Sequence, residues 1–146
     1  ADPISQFVER SSGYYKAIRA SGMSFSRAIV LSLTPSRECS YADMLEIIKN
    51  EEELASCYFA DNDLIAVGAI KALKENGYRI PQDIGIVGFD NLPLGSVIEP
   101  ALTTIHVPKQ YMGEAAAQKL IYLLNTPGQP PTKTEVSTML VKRGTV

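Results

Sequence analysis

Apolar positions along this chain follow helical and strand-like spacings in alternation. Over Ser5 to Ala20, apolar or small residues fall at Phe7, Ser11, Tyr14, Tyr15 and Ile18, a helical spacing, with Gly22 just beyond as a stop. Ala28 to Leu33 reads AIVLSL, a short β-rich run broken by Thr34-Pro35-Ser36. Tyr41, Met44, Leu45 and Ile48 predict an amphipathic helix over Tyr41 to Lys49. Cys57 to Ala60 is a brief apolar strand. Asp61-Asn62-Asp63 then supply helix-capping residues, and Leu64 to Glu75 is a helix closed by Asn76-Gly77.

Ile84 to Phe89 is a continuous apolar run, the pattern of a strand buried on both faces in a parallel sheet. Ala101 to Val107 is another strand. Lys109 to Leu124 is a helix with Met112, Ala115, Ala116, Leu120, Leu123 and Leu124 on one stripe. Asn125 to Thr132 is a Pro/Gly-rich loop, and Glu135 to Lys142 a final strand. Strands alternating with helices predict an α/β fold, a layered, mainly parallel sheet with helices on both faces.

Composition narrows the function classes. A length of 146 residues suits one domain with a real core, and 45% apolar with 21% charged residues is an ordinary folded composition. The formal charge of −2 gives no nucleic-acid footprint. No apolar run approaches the ~20 residues of a membrane helix, and no export signal opens the sequence, so a cytoplasmic protein without membrane contact is expected. Cys39 and Cys57 form no CxxC pair and read as free thiols. His106 is the only histidine, with no Cys or carboxylate at ligand spacing, so no metal or cofactor is expected and His106 reads as structural. Without a phosphate loop, a nucleophile elbow or a nucleophile–base pair, an enzyme is not expected.

The candidate chemistry lies at strand ends. Asp90 closes the buried apolar run, where open α/β sheets bind ligands, and its carboxylate can accept from vicinal hydroxyls or ring NH groups. The competing role is a cap on the turn Asn91-Leu92-Pro93. Asn62 carries a donor and an acceptor at another strand end, suited to a hydroxyl or to capping the next helix. Asp63 reads as a cap or structural residue, and Asp61 as added site charge or a solvent-facing side chain. Arg10 is either a guanidinium reaching into a cleft or half of a surface ion pair.

The run Ile80-Pro81-Gln82-Asp83-Ile84-Gly85-Ile86-Val87-Gly88-Phe89-Asp90, with Pro100 to Ile105 after it, resembles the lactose-repressor/galactose-repressor (LacI/GalR) family. So do Arg10-x-x-Gly13-Tyr14, Asn62-Asp63-x-x-Ala66-x-Gly68-Ala69 and the closing Leu140-x-x-Arg143-x-Thr145. The motifs cover essentially the whole chain in the family's order. The resemblance implies the core of a cytoplasmic transcriptional repressor of periplasmic-binding-protein-like type I fold, with effector held between two subdomains. It favours Arg10, Asn62 and Asp90 as effector-binding residues. The implied effector is a sugar, sugar phosphate or nucleobase, acting allosterically on operator DNA that is bound only through an N-terminal helix-turn-helix absent here. It assigns Leu64, Val67 and Ile98 to a homodimer contact. The alternative is a solute-binding protein of a sugar transporter.

By the same resemblance, residues 1–107 are the C-terminal effector-binding subdomain, incomplete because the strand ahead of the first helix is missing. Residues 108–134 are a crossover helix and loop belonging to the absent N-terminal subdomain, and 135–146 a returning strand. The helix stripe Met112, Leu120, Leu123 and Leu124 then lacks its partner. At ~1.5–3 kcal/mol per buried side chain this surface is expected to self-associate, swap, or fold back onto the sheet.

Overall fold

The computed structural model describes all residues except 1–4, 25 and 27, so the Ala1-Asp2-Pro3 stretch ahead of the first helix lies outside the described residues. Helix α1 spans Ser5–Ala20 and α2 spans Arg37–Lys49. Strand β1 is Cys57–Phe59, α3 is Asp63–Glu75 and β2 is Gly85–Asp90. A short helix α4, Pro93–Val97, precedes β3 at Thr103–His106. Helix α5, Lys109–Asn125, and strand β4, Met139–Val141, complete the chain. The strands form one sheet in the order β1-β2-β3-β4. β1, β2 and β3 run parallel and β4 joins β3 antiparallel, so the expected mainly parallel sheet is present.

Helices cover both faces because successive strand residues point to opposite sides. Gly88 and Ile86 face α3, where Ile70, Leu73 and Met44 of α2 build the core with Leu102. Phe89, one residue on from Gly88, points the other way, beneath Arg10 of α1. Tyr14 of α1 stacks on Phe59 at 6.3 Å on that same side. Helix α3 is apolar nearly all round and buries two faces, one on the sheet and one on α2. Val67 is buried in this core, while Leu64 and Ile98 are half-buried.

The sequence expectation fails at Ala28 to Leu33, which forms no strand. Among the described residues no backbone hydrogen bond joins it to the sheet. A cavity of about 180 Å³ separates it from β1, lined by Ile29 and Leu31 on one side and Phe59, Ala60 and Ile86 on the other. β propensity makes a segment extended, but a strand also needs a neighbour to receive its N–H and C=O groups. Helix α2 starts a turn earlier than its apolar stripe, because the Ser36 hydroxyl caps it by accepting the Cys39 N–H at 3.2 Å.

Helix α5 buries none of its residues. Leu120, Ile121 and Leu124 stand 59%, 60% and 73% exposed, so this helix does not fold back onto the sheet. Sedimentation at high concentration is therefore expected to show association through this stripe, accompanied by apolar-dye binding. A monodisperse monomer that binds no dye would contradict it. Cys39 and Cys57 are exposed and free, as expected. No described helix is long and apolar enough to cross a membrane.

Candidate functional site

The carboxyl ends of β1 and β2 meet the second turn of α1 at one edge of the sheet. Open parallel sheets leave their crevice there, since the turns leading away from the strands diverge. Arg10 descends from α1 over the Phe89 ring, its guanidinium carbon 3.9 Å from the ring centroid. One terminal nitrogen donates to the Asp61 carbonyl just beyond β1. The other faces the Asp90 carboxylate at 3.9 Å, and the two side chains are 15% and 26% exposed. That separation is an ion pair too long for a hydrogen bond, so donors and acceptors between the two groups stay open to a third partner. The aromatic face under the guanidinium holds it flat and leaves its edge for in-plane hydrogen bonds.

Asp90 is not the cap of the turn that follows it. The Leu92 N–H is taken instead by Asp63 Oδ2 at 2.6 Å. Asp63, 0% exposed at the start of α3, also accepts from the Thr104 hydroxyl at 2.5 Å. It is thus a buried hub joining α3, β3 and the loop after β2, which is the structural alternative of the two roles its sequence position allows. Gly88 makes room for it, since a Cβ there would lie 2.3 Å from Asp63 Oδ1. Asn62 caps α3, its Oδ1 accepting the Ile65 N–H at 2.9 Å. It stands beside Asp61 at the same edge as Arg10 and Asp90.

Burial pushes the Asp63 carboxyl above the ordinary aspartate value of 3.8, against the opposing pull of the Thr104 and Leu92 hydrogen bonds. Burial likewise raises Asp61, opposed by the Arg10 charge. An acid raised in the folded state holds its proton more tightly folded than unfolded. Its contribution to stability is complete below pH 3.8 and is lost as pH rises through the folded value. The melting midpoint of the natural chain, measured against Asp63→Asn, is therefore expected to fall as pH rises across this window. A gap that moves in favour of the natural chain with rising pH would reverse the assignment.

Of the residues expected from the sequence to bind effector, Arg10, Asn62 and Asp90 all lie at one edge of the sheet. Sequence reasoning misses Phe89 as the platform under Arg10 and Lys109, whose ammonium donates to the Asp90 carbonyl. It also misses the backbone of the site loop: Asp90 and Asn91 both adopt left-handed conformations, with φ of 108° and 52°. Phe89 is visible only as one residue of an apolar run, which carries no mark of which face it serves. His106 closes β3 with its Nδ1 3.1 Å from the Asn91 amide nitrogen, a structural contact. Among the described residues, no cluster of His, Cys, Asp or Glu is placed to hold a metal ion.

Known proteins share this fold. The periplasmic binding protein-like domain family matches residues 4–146. The HTH-type transcriptional repressor PurR of Yersinia enterocolitica is 34% identical over 137 residues, covering 94% of this chain and 40% of the repressor. Its counterpart in Klebsiella pneumoniae is also 34% identical over the same share. Among solved structures, a LacI family transcriptional regulator from Enterococcus faecium with bound ribose superposes with a TM-score of 0.88 at 27% identity, over 99% of this chain and 53% of that one. The transcriptional regulator CelR in complex with cellobiose gives 0.84 at 27% identity, over 95% and 42%. The chain thus spans about 40% of the length of the curated repressors it matches. This chain therefore belongs to the periplasmic binding protein-like domain family, and the proteins it is similar to include repressors and LacI family regulators, the likeness expected from the motifs.

Proposed function

We propose that this chain forms one wall of the effector cleft of a cytoplasmic, non-enzymatic transcriptional repressor. Effector bound at Arg10, Asn62 and Asp90 favours one closure state of two subdomains, and so changes the affinity of DNA-binding heads for their operator. The observation that carries this reading is the open Arg10–Asp90 pair at 3.9 Å over the Phe89 ring. A guanidinium and a carboxylate so spaced can donate to and accept from one polyhydroxyl ring at once. With Asp61 and Asp90 flanking Arg10, a neutral sugar or a purine-like base suits the site better than a sugar phosphate. The relatives named above are repressors and regulators, which favours this reading over the solute-binding protein of a transporter.

The second wall lies, on this reading, in polypeptide outside these 146 residues. Residues 108–134 belong with it, which accounts for the uncovered stripe of α5, and 135–146 return to the first body. The cavity between Ala28–Leu33 and β1 is then the place of a further strand. A homodimer contact runs through the half-buried Leu64 and Ile98 at the margin of the core that holds Val67. A thermal-shift panel of sugars and nucleobases, run on the polypeptide carrying both walls, tests the proposal. One compound is expected to raise the melting midpoint there, while the 146-residue chain alone responds only weakly. No response to any sugar or base would remove the effector reading.

A further inference from the structure

The closing Leu140-x-x-Arg143-x-Thr145 motif has so far had no part in the site, yet its arginine reaches it. Arg143 donates through one terminal nitrogen to the Leu102 carbonyl at 2.8 Å and through the other to Asn91 Oδ1 at 2.7 Å. Its own backbone N–H is held by the Thr103 hydroxyl at 2.8 Å. Two residues on, the buried Thr145 hydroxyl accepts the Thr103 N–H at 2.9 Å and donates to the Ile86 carbonyl at 2.6 Å. The backbone carrying Arg143 is therefore anchored to β2 and β3, and its guanidinium to Leu102 just ahead of β3, before it touches the loop.

Asn91 is the residue that loop turns on. Arginine has donors only, so its contact fixes Oδ1 toward Arg143 and leaves the amide nitrogen to donate to His106 Nδ1 at 3.1 Å. The Asn91 N–H reaches the Thr104 hydroxyl at 3.3 Å. These contacts hold a stretch in which two successive residues other than glycine, Asp90 and Asn91, lie in the left-handed region. Such a conformation persists only where its surroundings impose it. The backbone at Asp90 decides where its carboxylate points, and the Asn91 side chain is the grip on that backbone.

We propose that Arg143 is a positioning residue for Asp90: by clamping the Asn91 amide against β3 it imposes the left-handed turn that presents the Asp90 carboxylate to Arg10. What Asp90 then binds rests on the effector reading above; how it is held does not. A planar fork serving two acceptors is needed, so lysine is a poor substitute.

The test is amide hydrogen exchange, residue by residue, on the ligand-free 146-residue chain, so its result does not depend on the effector reading. In Arg143→Ala the Asn91 and Leu92 amides are expected to exchange about tenfold faster or more, with Ile86 and Val87 in β2 unchanged. Arg143→Lys, which keeps the charge and disturbs packing least, is expected to show the same pattern more weakly. Asn91→Gly added to Arg143→Ala is expected to slow the Leu92 amide again, because glycine takes a positive φ without strain. Unchanged Asn91 and Leu92 exchange in both single variants would overturn the proposal. So would acceleration spread evenly over β2 and β3, the mark of a purely structural arginine.

Discussion

Gly68→Ala is expected to abolish the fold or force α2 off α3. A Cβ at this position would lie 2.0 Å from Ser40 Oγ, 2.4 Å from the Arg37 carbonyl oxygen and 2.9 Å from the Tyr41 nitrogen. The Ser40 hydroxyl could turn aside, but the other two atoms are backbone of α2's first two turns. Ser40 is itself fully buried and bonded to the Arg37 and Leu64 carbonyls, so it fills the helix crossing. Overpacking a core costs about 1–3 kcal/mol and more when backbone must move. Against a net stability at the lower end of ~5–15 kcal/mol, a penalty of several kcal/mol leaves little folded protein. Urea denaturation followed by circular dichroism measures it; a midpoint within error of the natural chain would mean that the helices are not in this contact.

Asp63→Ala is expected to cost about 2–4 kcal/mol, because the buried Thr104 hydroxyl and the part-buried Leu92 N–H both lose their acceptor, at up to ~1–3 kcal/mol for a fully buried group. Part of this is returned, because burial already disfavours the ionised carboxylate, as its raised pKa records. Asp63→Asn keeps one acceptor in nearly the same place and should fall between. The variant should also loosen the loop carrying Asp90, since Leu92 is tethered through this carboxylate. Chemical denaturation in which both variants are as stable as the natural chain would show that these hydrogen bonds contribute nothing.

What the sequence can reveal depends on distance along the chain. Helices α1 and α3 and strand β2 are legible because their signals are local: a helical stripe, an Asn62 cap and an unbroken apolar run. Ala28–Leu33 misleads because pairing is decided by a neighbour across a gap, not by β-branched residues. Helix α4 is invisible, as five residues carry no period and its cap at Leu92 makes no side-chain bond; the N–H there goes to Asp63, 29 residues back. In the site, Arg10 and Asp90 follow from motifs, but the contacts that aim Asp90 do not. Asn91 and Arg143 lie 52 residues apart, and no spacing along the chain predicts that they meet. Asp63 looks like one more helix-capping acid, and only the convergence of α3, β3 and the following loop makes it a buried hub.

In the proposed effector site, Arg10 and Asp90 are the polar grip at the strand ends. The most direct test of this assignment is calorimetric titration of the polypeptide carrying both walls with the sugar or base that stabilises it, comparing the natural sequence with Arg10→Ala and Asp90→Ala. Loss of a hydrogen bond to a charged group should weaken binding about ten- to a hundredfold in each variant, with melting midpoints little changed. Unchanged affinity in both variants would contradict the assignment.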